Sequence, residues 1–349
     1  MNQNMDRRNF ITRVGAVGIG MMGLNISSAL PKTNFQELHP LLVDAEGNTI
    51  TKLDAWLKHR EVIKKRWLDY LGPLPVNPYP PELKILQEER TEGLIRQYIE
   101  YEGEPGIKVQ AYLIKPQNIT TPIPGVVTMH STSDKMMHYI SGVEKGNIVA
   151  FGYKLAQQGY MVICPQCFLM HNRGSMDGET ITKSFQKRHP RSKGMAKMLF
   201  DAQRAVDLLE SLREVDKNRI GAMGHSLGAK EALYLGAFDD RVKVIVSNEG
   251  GIGINFSNWD AVWYLGEEIH NFGHEHHEVL SLAIPKPFLL IGGDSADGEK
   301  SRPYIEAVRP IYKLYGKSKE TIELFNHGKG HNVDPSAEKI TYEWINKYL

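Results

Sequence analysis

The segment RIGAMGHSLGAKEALYLGAF, residues 219–238, combines a strand pattern, a sharp turn and a helix pattern in one stretch. Its first residues, RIGAM, are apolar enough for a buried strand, and LGAKEALYLGAF has the composition of a helix. Between them, Gly224, Ser226 and Gly228 form the pattern G-x-S-x-G. A serine on a strained turn from strand to helix is the arrangement that exposes a nucleophilic hydroxyl. An N-cap serine on an ordinary turn would not explain both glycines, so Ser226 is predicted to be a nucleophile.

Short apolar segments alternate with helical ones on both sides of this stretch. The segments PGVVTMH, YMVICP, VKVIVSN, PFLLIGG and TIELFN are each predicted to be buried strands. Uniformly apolar strands that alternate with helices are typical of an α/β protein with a mainly parallel, doubly wound sheet covered on both faces. The alternating segments GLIRQYIEYEG and IKVQAYLIKP precede them and predict an antiparallel N-terminal edge.

The chain is predicted to have three parts. Residues 1–29 resemble a twin-arginine-type signal peptide, with Arg7 and Arg8 before an apolar run and small residues near the cleavage point. Residues 30–89 are predicted to form an N-terminal helical extension and a proline-rich connector, and residues 90–349 the catalytic domain. The protein is therefore expected to be periplasmic or secreted, without stable membrane insertion after signal cleavage. An uncleaved anchor is the alternative.

Composition limits the partners and cofactors. A formal net charge of +1 gives no support to the binding of nucleic acid or of an acidic membrane surface. Cys164 and Cys167 end a predicted strand instead of opening a helix, so they are interpreted as a structural pair and not as a redox motif. The histidines of IHNFGHEHHEVL match no known zinc spacing, and neither a metal nor another cofactor is predicted.

A serine nucleophile needs a base and an acid that follow it in the chain. The loop after the last predicted strand reads NHGKGHNVDP, and His331 is favoured as the base over His327. The acid is expected in the loop after PFLLIGG, where Asp297 is favoured over Asp294. Glu249, at the end of the preceding strand, stays open as a third candidate.

Two backbone amides are expected to stabilise the oxyanion of a tetrahedral intermediate. Leu227, at the start of the helix, is predicted to supply one, and Ser131, in the loop after PGVVTMH, the other. The insert between two core strands carries Trp259 and Trp263, which are predicted to stack on a sugar ring of the substrate. Packing of the insert onto the domain is the alternative, and it is preferred for Trp263.

The mature chain resembles the α/β-hydrolase superfamily, in particular its dienelactone-hydrolase-like and acetyl xylan esterase-like members. The stretches that carry the resemblance include GIKVQAYLIKP, PGVVTMHST, VDKNRIGAMGHSLGAKEALY, HHEVLSLAIPKPFLLIGG and GHNVDPSAEKITYEWINKYL. The resemblance implies a serine carboxylic-ester hydrolase in which Ser226 and His331 are partners. Related glucuronoyl esterases carry a catalytic glutamate in a setting similar to that of Glu249, and a lysine similar to Lys230. Leu227 stands where those enzymes usually have an arginine.

The leading hypothesis is an exported serine esterase that removes acyl groups from a carbohydrate, with a small-molecule or glycan ester as its substrate. Three alternatives stay open. They are a glucuronoyl esterase-like enzyme that uses Glu249, a peptidase on the same fold, and a non-catalytic glycan-binding protein. The complete set of serine, acid and histidine candidates argues against the last of these.

Overall fold

The computed structural model describes residues 38–349, apart from residues 134, 147, 171–176 and 317–320. The predicted signal peptide, residues 1–29, lies outside the described residues. Within the described part of the chain, no helix is both long and apolar enough to cross a bilayer.

The described residues contain one sheet. Its strands are β1 Lys84–Thr91, β2 Leu94–Glu102, β3 Lys108–Pro116, β4 Ile123–Met129, β5 Met161–Pro165, β6 Val215–His225, β7 Val242–Asn248, β8 Phe288–Gly292 and β9 Ile322–Asn326. Their order in the sheet is β1-β2-β3-β5-β4-β6-β7-β8-β9. The pairs β1-β2, β2-β3 and β3-β5 are antiparallel. The pairs β5-β4, β4-β6, β6-β7, β7-β8 and β8-β9 are parallel. The predicted mainly parallel α/β fold with an antiparallel N-terminal edge is confirmed.

Helices connect most of these strands. They are α1 Leu53–Leu71, α2 Met137–Ile140, α3 Phe151–Gln157, α4 Gly178–Arg188, α5 Gly194–Ser211, α6 Leu227–Phe238, α7 His277–Ala283, α8 Arg302–Leu314 and α9 Pro335–Tyr348. Neighbouring residues of one strand, Val126 and Val127, belong to two different clusters of buried apolar side chains. Since successive side chains of a strand point to opposite faces, the sheet has an apolar core on each face.

Helix α1 packs onto the same core as the rest of the domain. Trp56, Ile63, Trp67 and Leu71 are all buried and recur along one side of the helix. They belong to the cluster that also contains buried residues of α5 and α6. The helix therefore contributes two large indole rings to the interior.

Strand β1 was not expected from the sequence, which places most of these residues in the N-terminal extension and connector, residues 30–89. Seven of its eight side chains are exposed, so KILQEERT has no apolar alternation that could predict a strand. Backbone pairing with β2 holds it at the edge of the sheet, together with side-chain contacts of Glu88 and Glu89 with Gln97 and Arg96 of β2. Its partner follows after only Glu92 and Gly93, so β1 and β2 form a hairpin at the edge of the sheet.

Candidate active site

Ser226 occupies a strained turn between β6 and α6. Its φ of 57° and ψ of −114° are rare for a residue that has a side chain, and such strain is concentrated at functional sites. A Cβ atom at Gly224 would lie 2.1 Å from the carbonyl oxygen of Gly228, and a Cβ at Gly228 would lie 2.3 Å from that of Met129. Both glycines are therefore needed for close packing of backbone on backbone. The turn has the strand, serine and helix order that the motif requires.

His331 lies between Ser226 and a carboxylate. Its Nε2 is 2.9 Å from the hydroxyl oxygen of Ser226, and its Nδ1 is 3.1 Å from Oε2 of Glu249. A carboxylate can only accept, so Nδ1–H donates to Glu249 and Nε2 is free to accept from the Ser226 hydroxyl. This is the order of contacts that activates a serine hydroxyl for attack on a carbonyl carbon.

Glu249 directly follows β7 and its side chain is fully buried beneath His331, whose side chain is 44% exposed. The backbone N–H groups of Gly293 and Ala296 donate to the two carboxylate oxygens, at 2.7 Å for Ala296. Burial by itself would raise the pKa of Glu249, but the hydrogen bonds from His331, Gly293 and Ala296 outweigh it and lower that pKa. The carboxylate therefore stays ionised at neutral pH and can stabilise a positively charged His331.

Asp297, the acid favoured from the sequence, does not contact His331. Its buried carboxylate accepts from the backbone N–H groups of Gly251 and Ile252, at 2.6 and 2.9 Å, and from the hydroxyl of Ser301 at 2.7 Å. The favoured assignment of Asp297 as the partner of His331 is corrected by this geometry. Its loop turns the side chain toward the residues that follow β7, where it holds the backbone just beyond Glu249.

Asp294, the other aspartate of that loop, holds the loop that carries His331. Its carboxylate accepts from the side-chain amide of Asn326 at 2.7 Å. The backbone N–H of Gly330 donates to the carbonyl of Gly293 at 2.7 Å. Asp294 therefore positions the His331 loop through Asn326 and does not act as the partner of its imidazole.

His225, the variable residue before Ser226 in the motif, also holds His331. Its Nε2–H donates to the backbone carbonyl of His331 at 2.8 Å, and the two ring centroids are 5.0 Å apart. Burial lowers the pKa of His225 to about 4, so the ring is neutral at physiological pH. The sequence pattern does not mark this residue, because the motif accepts many residues at that position.

The two expected oxyanion donors lie where β4 meets α6. Leu227 is the first residue of α6, so its N–H has no partner within the helix. The carbonyl of Ser131 accepts from Nδ1–H of His130 at 2.8 Å, and Nε2 of His130 accepts from the backbone N–H of Cys167 at 3.0 Å. Burial lowers the pKa of His130 to about 4. A neutral histidine thus braces the loop after β4 against the end of β5.

Trp259 is fully buried, which corrects its predicted role in stacking on a sugar. Its indole N–H donates to the carbonyl of Gly251 at 2.6 Å, and the ammonium of Lys230 lies 3.9 Å from its ring centroid. Nζ of Lys230 also donates to the hydroxyl of Ser257 at 2.7 Å. Burial lowers the pKa of Lys230 to about 7. The indole therefore faces a buried lysine and not the solvent.

Trp263 is half-buried and packs against the beginnings of α4 and α5. A Cβ atom at Gly178 would lie 3.2 Å from its ring, and one at Gly194 would lie 2.2 Å from its carbonyl oxygen. The structure thus agrees with packing of the insert onto the domain, the alternative preferred for this residue.

The histidines of the segment IHNFGHEHHEVL make separate hydrogen bonds with different partners. His276 lies between the carbonyl of Ile252 and the hydroxyl of Tyr234, and His277 contacts the carbonyl of His39. Among the described residues, no group of three or more His, Cys, Asp or Glu side chains is placed to hold a metal ion. Cys164 and Cys167 are both free and buried.

The family comparison agrees with this architecture. Residues 109–259 match the model of the dienelactone hydrolase family. "Putative hydrolase YtaP" of Bacillus subtilis is 27% identical over 244 residues, which cover 66% of this chain and 79% of that protein. The 4-O-methyl-glucuronoyl methylesterase of Neurospora crassa is 26% identical over 178 residues, which cover 42% of this chain and 45% of that protein.

The solved structures show the same fold. A glucuronoyl esterase from Solibacter usitatus superimposes with a TM-score of 0.73 and 18% identity, over 88% of this chain and 97% of that one. The expected resemblance to α/β-hydrolases is thereby confirmed. The names of these proteins support the expectation of a carboxylic-ester hydrolase.

Proposed function

We propose that this chain is a serine esterase that uses Ser226, His331 and Glu249. The match of residues 109–259 to the dienelactone hydrolase family model and the fold shared with solved esterase structures support the proposal. The single observation that carries the proposal is the continuous contact from the Ser226 hydroxyl through both nitrogens of His331 to the buried Glu249. The reaction is the transfer of an acyl group from an ester to the serine and then to water.

His331 takes the hydroxyl proton of Ser226 as the serine oxygen forms a bond to the ester carbonyl carbon. The resulting imidazolium is stabilised by the ionised Glu249 and gives its proton to the departing alcohol oxygen as the ester C–O bond breaks. A water molecule then attacks the acyl-enzyme, His331 takes the proton of that water, and Ser226 recovers its proton when the acid leaves. The backbone amides of Leu227 and Ser131 are the proposed donors to the oxyanion in both steps.

The proposed substrate is an ester of a carbohydrate. The similarity to proteins named as glucuronoyl esterases supports this class. Two types of sugar ester fit it: an acyl group on a sugar hydroxyl, as in an acetylated xylan, and an ester of the carboxyl group of a uronic acid. The position of Glu249 at the end of β7 favours the second type, whereas Leu227 lacks the charge of the arginine that those enzymes usually carry there.

The proposed location is outside the cytoplasm, after export by a twin-arginine-type signal in residues 1–29. Replacing Arg7 and Arg8 by lysine keeps the charge but removes the arginine pair. Fractionation of cells should then find the full-length variant in the cytoplasm and the wild type, shortened, outside it. Equal export of both proteins would contradict this part of the proposal.

The catalytic proposal is tested with three substrates: an aryl acetate, an acetylated xylo-oligosaccharide and a methyl glucuronate. Ser226→Ala should abolish turnover of every substrate that the wild type hydrolyses, as well as labelling by a fluorophosphonate. Ser211→Ala, on an exposed position of α5, is the matched control and should keep full activity. A wild type that neither hydrolyses an ester nor becomes labelled would overturn the proposal, and the preferred sugar ester distinguishes the two substrate types.

A further inference from the structure

A cavity of about 680 Å³ lies at the same edge of the sheet as Ser226. We name it the β5 cavity, because Gln166 and Phe168 in its wall directly follow β5. Ser226 follows β6, which is parallel to β5 and separated from it by β4 alone. Two strand spacings of about 5 Å each place the ends of β5 and β6 roughly 10 Å apart. The cavity is therefore close enough to hold another part of a substrate whose ester lies at Ser226.

The wall of the β5 cavity is connected to the proposed oxyanion loop. Cys167, between Gln166 and Phe168, donates its backbone N–H to His130, which in turn donates to the carbonyl of Ser131. One side of the cavity and the proposed oxyanion loop are therefore parts of one hydrogen-bonded unit. A ligand held against Gln166 would lie in a fixed position relative to the oxyanion.

The charged side chains that line the cavity all have partners of opposite charge. Lys197 lies 2.5 Å from Asp201, and the other pairs are Glu100 with Lys84, Lys108 with Glu102, and Arg188 with Glu104. Since the charges are already paired, the cavity has no unmatched charge for an ionic ligand to neutralise. This feature argues against a phosphate, a carboxylate or a cation as its occupant.

The remaining lining groups suit a neutral molecule that is rich in hydroxyl groups. Gln110 and Gln166 supply amides that both donate and accept hydrogen bonds, and Thr180 and Ser184 supply hydroxyls. Phe168 adds an aromatic face for the apolar side of a ring. The volume is in the range of pockets that hold small ligands.

We propose that the β5 cavity is a subsite for neutral sugar residues of the glycan whose ester is cleaved at Ser226. The inference rests on the proposed esterase function, and it adds the location at which the unreacted part of the glycan is bound. It predicts that oligosaccharide esters are better substrates than small esters of the same acid, because the subsite supplies extra binding energy.

A cavity-filling variant tests the inference. Ser184 is exposed on α4 and lines the cavity, so Ser184→Trp should fill it without disturbing the core. Lys187→Trp, on the same helix but outside the cavity, is the matched control. Ser184→Trp should lower kcat/KM for an oligosaccharide ester about tenfold or more, mainly through KM, and leave an aryl acetate unchanged. The control should change neither. An oligosaccharide kcat/KM that Ser184→Trp leaves at the wild-type value would overturn the inference.

Binding without catalysis separates this inference from the esterase proposal. The Ser226→Ala variant is titrated calorimetrically with unesterified tetrasaccharides of β-1,4-linked xylose, glucose and mannose. Binding of at least one of them, weakened when Ser184→Trp is added, supports the subsite whether or not the ester chemistry is as proposed. Absence of binding by all three overturns the subsite, while ester turnover by the wild type would still support the esterase.

Discussion

Oε2 of Glu249 lies 3.1 Å from Nδ1 of His331, although 82 positions separate the two residues in the chain. The loop after β8 donates two backbone N–H groups to the same carboxylate. That loop also contains Asp297, the acid favoured from the sequence, and Asp294, which like Glu249 is an alternative there. The loop thus supports the acid in the structure instead of supplying it.

Neutralising each acid in turn tests this relationship. Glu249→Gln should lower kcat on an aryl acetate by about 10³- to 10⁴-fold, because the amide neither stabilises the imidazolium nor holds the productive tautomer. Asp297→Asn should lower the stability, since one amide replaces an acceptor of three hydrogen bonds, but leave most of kcat. Kinetics and thermal unfolding of both variants provide the measurement. A larger loss of kcat in Asp297→Asn than in Glu249→Gln would refute the assignment.

His225 is expected to position His331 and not to stabilise the fold. Its Nδ1 is buried without a hydrogen-bond partner among the described residues, so replacing the ring by phenylalanine removes an unsatisfied acceptor along with one useful donor. His225→Phe should therefore change the melting temperature little. It should lower kcat roughly 10- to 100-fold, because a looser His331 loop weakens the contact with Glu249. A variant with normal kcat would show that the hydrogen bond has no role in positioning.

Lys230 is expected to make the stability depend on pH. Burial lowers its pKa to about 7 in the folded protein, against about 10.4 in an unfolded chain. Between these values the unfolded state binds more protons, so the free energy of unfolding should rise with pH. Lys230→Met should lack this rise and be roughly 1–4 kcal/mol more stable at pH 6.

Denaturant unfolding at pH 6, 8 and 10 measures the effect of Lys230. Lys339→Met, at a lysine whose side chain is 75% exposed, controls for the loss of a positive charge. Parallel pH curves for wild type and Lys230→Met would contradict the prediction.

Gly228 is expected to tolerate no side chain. Gly228→Ala would place a Cβ atom 2.3 Å from the carbonyl oxygen of Met129, which is backbone and cannot rotate away. We expect a loss of about 3 kcal/mol or more in the free energy of unfolding and loss of ester turnover. Gly47→Ala is the control, because its Cβ meets nothing within 4 Å and only the positive φ opposes it, which costs about 1–2 kcal/mol. Similar losses in the two variants would show that steric contact at Gly228 is unimportant.

The buried strands and the turn at Ser226 could be predicted because their signals are local. Apolar runs bounded by helix patterns report parallel strands that are covered on both faces, and β4, β5, β7, β8 and the second half of β6 have this pattern. Strand β1 has no such pattern, since seven of its eight side chains are exposed and the pairing with β2 involves backbone and charged or polar side chains. The burial of Trp259 could not be predicted either. An aromatic residue in an insert gives the same sequence pattern whether its ring faces solvent or a buried lysine.

The sequence by itself determined that Ser226 stands between a strand and a helix, and that a histidine and several acids follow it. Neighbouring residues define the turn, so its requirement for glycine can be read from a few letters. Only the tertiary structure decided which acid meets His331. That choice depends on the directions in which side chains leave two loops on neighbouring strands, β7 and β8, and on the backbone N–H groups that each loop presents to the other. No spacing along the chain encodes those directions, because they arise from the packing of strands that are distant in sequence.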